Sequence, residues 1–241
     1  MPLQSIEPRR LYRKIADQLR TLIREGEYPI GTRLPAERDL ALQLGVSRPS
    51  VREALIALEV EGLVEVRSGS GVHVLSREAP ANSRRVESGA FGLFEIFRAR
   101  ELVEGEIAAL VARDASPRLL DTLDTALMQM ETDIAAGVMP IQSDRHFHLV
   151  IAEAADNGPL LRTVGELYDM RDNPLFEQFV QHFESADSWR VAVAEHRAIV
   201  AALAARDPDA ARTAMHHHLQ RSHDSYAEAW PPGTEVRGND P

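Results

Sequence analysis

The chain has 241 residues, 44% of them hydrophobic and 27% charged, which is ordinary for a globular protein with room for two domains. It has no cysteine, which excludes disulfides and thiolate metal sites, and no apolar run long enough to span a membrane. The N-terminus lacks the apolar core of a secretory signal, so we expect a cytoplasmic protein without a membrane partner.

The net charge of −10 is unevenly distributed along the chain. Residues 1–77 hold 12 of the 27 lysines and arginines, but only 10 of the 37 aspartates and glutamates. The N-terminal part is therefore slightly basic and the remainder is strongly acidic. This asymmetry is typical of a protein that contacts nucleic acid through its N-terminal part alone.

The N-terminal third predicts three helices followed by a β-hairpin. Helical spacing of apolar residues covers 9–25 and 36–44, and Ser47 is placed to cap a third helix that ends at Gly62. Alternating valines on either side of the Gly-rich segment 68–71 predict the hairpin. This order is that of a winged helix-turn-helix domain, which we assign to residues 1–76.

The rest of the chain predicts a linker and an all-α domain. Residues 77–90 are polar and without period, and 231–241 has the composition of a disordered tail. Between them only helical periodicity is found, so 91–230 is predicted as a helical bundle and the whole chain as mainly α. The predicted helices cover about 91–113, 117–136, 141–156, 159–171, 174–184, 187–205 and 208–229.

The third predicted helix carries candidate DNA-reading side chains. With Val51 and Leu55 packed inward, the pattern predicts that Arg48 and Arg52 point outward on the N-terminal half of this helix, together with Ser50, Pro49 and Glu53. Recognition helices contact base edges with that half, and arginine reads guanine bidentately. Alternatively, the two arginines only form ion pairs with Glu37 or Glu53.

Further DNA contacts are expected next to this helix. Arg38 begins the preceding helix and can reach a phosphate or a base, and Gly69 lets the hairpin tip approach DNA closely. We therefore predict a DNA-binding set of Arg38, Ser47, Arg48, Ser50, Arg52 and Gly69.

Polar residues interrupt the apolar faces of three helices in the C-terminal part. Asp144 and His148 are one turn apart on one buried face, and His196 and His218 lie on the buried faces of two later helices. A carboxylate and three imidazoles suit a divalent first-row ion, so the four residues are predicted metal ligands. We expect zinc, with nickel, manganese or iron as alternatives; a single inward histidine would more simply be a core residue.

Arg100 is predicted to lie inward on its helix with Phe97 and Glu104. A buried guanidinium needs a partner. That partner is either Glu104, one turn away, or the carboxylate of a bound effector, because arginine binds carboxylates bidentately. Spacing leaves both interpretations open.

The segment GTRLPAERDLALQLGVSRPSVREALIALEVEGLVEVRSGSG resembles the N-terminal domain of the GntR family of bacterial transcription regulators. The resemblance implies that Arg38, Arg48 and Arg52 contact DNA and that Gly69 is the wing glycine. FEIFRARELVEGEIAALVA, SDRHFHLVIAEAADNGPLL and EHRAIVAALAARDPDAARTAMHHHL resemble the FCD effector domain of the FadR-type branch. That domain implies a metal held by one aspartate and three histidines beside a small carboxylate effector, with Arg100 and Asn157 at the pocket.

Three shorter segments, EPRRLY, EVEGLVEVRSGSG and NPLF, are similar to bacterial hexuronate-utilisation repressors. The resemblance implies a homodimer that binds a palindromic operator in double-stranded DNA and is released by galacturonate or glucuronate. Lactate, gluconate or a dicarboxylate are alternative effectors. A metal-dependent enzyme with a DNA-binding head and a constitutive DNA-binding protein are the competing functions.

Overall fold

The computed structural model describes residues 10–67, 70–81 and 91–228. Gly69, most of the predicted linker and the predicted tail at 231–241 lie outside the described residues. The chain divides into two compact units. The first contains the N-terminal domain together with Asn173–Phe179, and the second comprises Leu93–Asp172 and Val180–Tyr226.

The N-terminal domain has three helices and a two-stranded sheet: α1 Leu11–Glu25, α2 Glu37–Leu44, α3 Arg48–Val60, β1 Val64–Arg67 and β2 Gly71–Val74. The residues at the helix ends have the properties of helix caps. Gly45 closes α2 in the left-handed conformation, with φ of 65°, and the side chain of Ser47 accepts a hydrogen bond from the backbone N–H of Ser50 at the start of α3. The predicted winged helix-turn-helix is confirmed.

The wing is an antiparallel pair in which Val64 lies opposite Val74 and Val66 opposite Val72. Gly71 has a φ of +90°, and a Cβ atom there would lie 2.6 Å from Nε of Arg33. Only glycine fits both constraints. The core of the domain is built around α3, where every residue from Val51 to Leu58 is buried.

The remaining helices follow the predicted order and bounds closely. Proline occupies the first position of three of them, where its missing N–H costs no hydrogen bond. The helices are α4 Leu93–Ala112, α5 Pro117–Ala135, α6 Ile141–Ala154, α7 Gly158–Asp169, α8 Pro174–Phe183, α9 Ala186–Ala204 and α10 Pro208–Glu228. The predicted fold class, mainly α with an all-α C-terminal part, is confirmed.

In the second unit α5 packs against α6 and α9, and α4 packs against α6, α7 and α9. Its apolar core includes Leu123, Met130, Phe147, Ile199 and Leu203, all of them fully buried. Packing from several helices around α6 and α9 matters for function, since these two helices hold three of the four predicted metal ligands. Within the described ranges, none of the helices carries an apolar stretch that could cross a lipid bilayer.

Candidate metal centre and nucleic-acid interface

Three helices of the second unit bring four polar side chains together. α6 contributes Asp144 and His148, α9 contributes His196, and α10 contributes His218. All four are buried, and their ligand atoms lie within 4.8 Å of one another. These are the four residues that the sequence predicts as metal ligands, and they form a group that could hold a metal ion.

The distances between these atoms fit ligands of one ion. Nε2 of His196 lies 3.2 Å from Nε2 of His148 and 3.3 Å from Oδ1 of Asp144. Ligands bound about 2.1 Å from a common ion stand roughly 3.0 to 3.4 Å apart in octahedral or tetrahedral geometry. Oδ1 of Asp144 lies 3.7 Å from Nε2 of His148, and the ligand atom of His218 lies within 4.8 Å of the other three. The donor set and its spacing therefore both suit a divalent first-row ion.

The second nitrogen of each imidazole has its own oxygen partner. Nδ1 of His148 contacts the carboxylate of Glu104. Nδ1 of His196 lies 2.7 Å from the carbonyl oxygen of Ala192, and Nδ1 of His218 lies 3.1 Å from Oε2 of Glu195. Such partners fix the tautomer with its proton on Nδ1 and orient the ring. The lone pair of Nε2 is then directed to the centre.

The electrostatic surroundings favour the protonation states that a metal requires at three of the four ligands, Asp144, His196 and His218. Burial raises the pKa of Asp144, but hydrogen bonds from His148 and His196 outweigh burial and hold it well below its usual range. Burial lowers the pKa of His218 well below its ordinary value and also lowers that of His196. For His148 burial acts in the same direction, but the Glu104 carboxylate outweighs it and raises the pKa.

Arg100 is held by its own helix. Its Nε donates to Oε1 of Glu104 at 2.6 Å, and a terminal nitrogen donates to the hydroxyl of Tyr168. This is the internal pair that the spacing left open as an alternative to an effector clamp. Burial raises the pKa of Glu104, but Arg100 and His148 outweigh it and bring the pKa to about 2. Glu104 therefore stays ionised between the guanidinium and the imidazole.

Two residues that the sequence analysis missed surround the outer oxygen of Asp144. The hydroxyl of Tyr168 donates to Oδ2 at 3.2 Å, and a terminal nitrogen of Arg171 lies 3.7 Å from the same atom. Tyr168 follows Val164 by one turn on the buried face of α7, a spacing that could have marked it as inward. Its contact with Asp144 could not have been found that way, because it joins two helices.

A cavity of about 480 Å³, counted with its open mouth, adjoins the centre. Arg100, Asp144, Arg171 and His218 form part of its wall. Asn157, the other predicted effector residue, is not among the lining residues. It is exposed, and its side chain accepts from the backbone N–H of Leu160 at 3.2 Å, which caps α7.

Glu184 is a further acid in this wall, and its side chain is half-buried. Its Oε2 accepts from the indole nitrogen of Trp189 at 2.9 Å, and Oε1 accepts from the hydroxyl of Tyr226. Burial raises the pKa of Glu184 and outweighs both hydrogen bonds. Glu184 ends the predicted helix 174–184, where nothing in the local pattern marks its side chain as inward, and in the structure it lies between α8 and α9.

In the N-terminal domain, four of the predicted DNA contacts lie near the start of α3 or α2. Arg38 is the most accessible, with 79% of its side chain exposed, and Arg48 is 55% exposed. Ser47 is exposed as the cap of α3, and Ser50 is half-buried beside it. These residues offer a cationic and hydroxyl-bearing surface of the kind that contacts phosphates and base edges. Gly69 lies outside the described residues.

Arg52 corrects the sequence analysis. The prediction that Arg52 and Glu53 point outward is wrong, since the side chain of Arg52 has 0% exposure and Glu53 is buried. Arg52 donates from Nε and from a terminal nitrogen to Oε2 of Glu37, at 2.8 and 2.6 Å, while Nε of Arg48 donates to Oε1 at 2.9 Å. α3 is buried over a wider face than a simple apolar stripe predicts.

Comparison with known proteins identifies both parts of the chain. Residues 11–74 match the bacterial regulatory proteins of the gntR family, and residues 95–221 match the FCD domain. The chain belongs to the GntR family of bacterial regulatory proteins. It is therefore a transcription regulator and not an enzyme, with a GntR head that binds DNA and an FCD domain that takes a small-molecule effector.

Three curated relatives from Escherichia coli K12 align with this GntR regulator over most of their length. The Exu regulon transcriptional regulator is 37% identical over 91% of this chain and 86% of its own. The Uxu operon transcriptional regulator is 36% identical over 88% and 84%, respectively. The putative L-lactate dehydrogenase operon regulatory protein is 34% identical over 90% and 86%.

Proposed function

We propose that this chain is a repressor of hexuronate catabolism genes. It binds a palindromic operator as a homodimer, and galacturonate or glucuronate entering the FCD cavity releases the DNA. A ligand can cause such a release only by binding one arrangement of the protein more tightly than the other. The observation that carries the proposal is the cavity wall, where Arg100 and Arg171 stand next to the Asp144 and His218 pair.

The chemistry of that wall suits a carboxylate. Two guanidinium groups in a largely buried site attract an anionic oxygen more strongly than they would in water. The same cavity is open to solvent and is bordered by aromatic side chains, Phe97 and Trp189 among them. We infer that the carboxylate of the effector occupies the end of the cavity next to His218.

We also propose that a divalent metal ion, zinc first among the candidates, is held by Asp144, His148, His196 and His218. Bound there, it supplies a Lewis-acid site for an anionic oxygen. Other residues orient the ligands. Glu104, Ala192 and Glu195 orient the three imidazoles, and Tyr168 donates a hydrogen bond to the outer oxygen of Asp144.

Elemental analysis of purified variants tests the metal assignment. His148→Ala removes a ligand and is expected to lower the metal content strongly. His146→Ala, an exposed histidine two residues away on the same helix, is the matched control and should keep the metal. Undiminished metal in His148→Ala would overturn the assignment.

The choice of hexuronate rests on the resemblance to hexuronate-utilisation repressors and on the Exu and Uxu relatives. The relative named for the L-lactate dehydrogenase operon favours a second candidate, a smaller hydroxy acid such as lactate. A gel-shift assay with the chain's own operator distinguishes them. Galacturonate or glucuronate, but not lactate, is expected to release the DNA; release by lactate alone would reject the hexuronate proposal.

A further inference from the structure

The wall of the FCD cavity carries a second group of polar residues, away from the metal ligands. Ser222 and Ser225 follow His218 on α10 by four and seven residues, which places them about 6 and 10 Å further along the helix axis. Glu184 is joined to the same stretch by the hydroxyl of Tyr226. We call Glu184, Ser222 and Ser225 the acceptor wall.

The hydroxyl protons of the acceptor wall already form hydrogen bonds within α10. Oγ of Ser222 donates to the carbonyl oxygen of His218 at 3.1 Å, and Oγ of Ser225 donates to that of Ser222 at 2.9 Å. Glu184 accepts from Trp189 and Tyr226 and has no proton to give when ionised. What remains for a ligand is a set of acceptor lone pairs. Such a surface binds hydroxyl groups, which can donate, better than it binds an anion.

Charge reinforces this preference. Arg171, the cation next to the acceptor wall, acts on Asp144 and on Glu184 at once, so its charge is shared between two carboxylates. A second ligand carboxylate at this end of the cavity would stand near the Glu184 carboxylate and would find no acidic proton to accept. Like charges in a partly buried site repel strongly.

We propose that Glu184 is a specificity-determining residue, which makes the cavity select a polyhydroxylated monocarboxylate over the diacid of the same carbon skeleton. The proposal rests on the proposed function in placing the first carboxylate beside His218. An extended six-carbon chain is about 6 Å long, given carbon–carbon bonds of about 1.5 Å. With one end at His218, its other end therefore reaches the acceptor wall.

Matched pairs of acids test the proposal by calorimetry on the full-length, zinc-supplied protein. The pairs are galacturonate with galactarate, gluconate with glucarate, and lactate with tartronate, which differ mainly in the second carboxylate. For galacturonate or gluconate, whichever binds, the wild-type protein is expected to prefer the monoacid by at least about tenfold in Kd. Lactate and tartronate are too short to reach the acceptor wall, so their ratio is the control and should not respond to Glu184. Equal or tighter binding of the diacid would overturn the proposal.

Glu184→Gln keeps the shape of the side chain and removes its charge. It is expected to narrow the preference by about tenfold, mainly through tighter diacid binding. Glu153→Gln, an exposed glutamate on α6, is the matched control and should leave the preference unchanged. An unchanged preference in Glu184→Gln would also refute the role of Glu184.

Ser225→Ala provides a second variant in case Glu184→Gln does not fold. The variant removes a hydrogen-bond acceptor. It should therefore weaken the binding of galacturonate or gluconate by about threefold to tenfold and leave the binding of lactate unaffected. Equal losses for all three acids would count against the acceptor wall.

The pairs also separate this proposal from the proposed function. If hexuronates bind but Glu184→Gln has no effect, only the role of Glu184 fails. If hexuronates do not bind but another pair shows a monoacid preference that Glu184→Gln removes, the hexuronate assignment fails and the role of Glu184 stands. If no member of any pair binds, both are rejected.

Discussion

The carboxylate of Glu104 contacts Nδ1 of His148, so a residue of α4 orients a metal ligand of α6. The other oxygen of Glu104 is bonded to Arg100 at 2.6 Å. The metal centre and the guanidinium that borders the cavity are thereby joined through one side chain. This link between the two parts of the site has a direct experimental consequence.

Glu104→Gln is expected to weaken metal binding by about 10- to 100-fold, the usual effect of losing the oxygen partner of a ligating histidine. The amide can still accept from Arg100 but can no longer offer an ionised oxygen to His148. Competition with a chromophoric chelator measures the change. Glu106→Gln, an exposed residue on the same helix, serves as the control and should bind metal normally. Wild-type affinity in Glu104→Gln would show that the contact does not support the centre.

Arg38→Ala and Arg52→Ala are expected to differ in kind. Arg38 is exposed, so its removal should weaken operator binding by about 1–3 kcal/mol while the free energy of unfolding stays unchanged. Arg52 is buried against Glu37, and removing it leaves this buried carboxylate with Arg48 as its remaining cation, which should lower the free energy of unfolding by about 1–3 kcal/mol. Urea unfolding and operator titration separate the two effects; a fully stable Arg52→Ala protein would contradict the buried pair.

Gly105 of α4 leaves room for the ring of His216 of α10. A Cβ atom at this position would overlap the ring of His216. Gly105→Ala is therefore expected to lower the free energy of unfolding by about 1–3 kcal/mol through overpacking, and the double variant with His216→Ala should recover most of the loss. Thermal and urea unfolding measure both.

Gly165→Ala is the matched control for that pair. Its Cβ would meet only a methyl group of Leu149, at 4.0 Å, and alanine is the better helix former. The free energy of unfolding of this variant should rise by about 0.5–1 kcal/mol. If Gly105→Ala and Gly165→Ala both lower the free energy of unfolding, helix geometry and not the ring of His216 governs the effect at Gly105.

Glu184 also makes stability depend on pH. Burial raises its pKa in the folded state above the value in the unfolded chain, so the folded state binds the proton more tightly. This contribution to stability is present below the unfolded pKa and is lost as pH rises through the folded pKa. Glu184→Gln lacks this contribution, so the free energy of unfolding of the variant should increase relative to that of wild type as pH rises above about 4. A difference that shrinks with rising pH would contradict the direction of the shift.

Much of this architecture is predictable from local patterns. Asp144 and His148 interrupt an apolar face at a spacing of four, and the helical period alone places them inward; helix bounds follow from caps such as Ser47 and Ser116. What the sequence does not contain is the partner across a helix–helix contact. Glu37 lies 15 residues before Arg52, and the sequence offers it only as one of two possible ion partners, without indicating that the pair is buried.

The same limit applies to the cavity. Tyr168 and Glu184 belong to different helical segments, and their contacts are made with residues distant in sequence. Tyr168 contacts Asp144, and Glu184 contacts Trp189 and Tyr226. Asn157 stays a prediction as an effector residue; in the structure it is exposed and its side chain caps α7.

The fork at Glu37 has an evolutionary consequence. Because its two oxygens engage Arg48 and Arg52 separately, a substitution at Glu37 removes the carboxylate from both arginines, and a substitution at either arginine removes one of the two cations on Glu37. The three positions are therefore coupled, most strongly the buried Glu37 and Arg52. Divergence of operator sequences among descendants of this protein would therefore have to begin at Arg38 and Ser50, which lie outside that constraint.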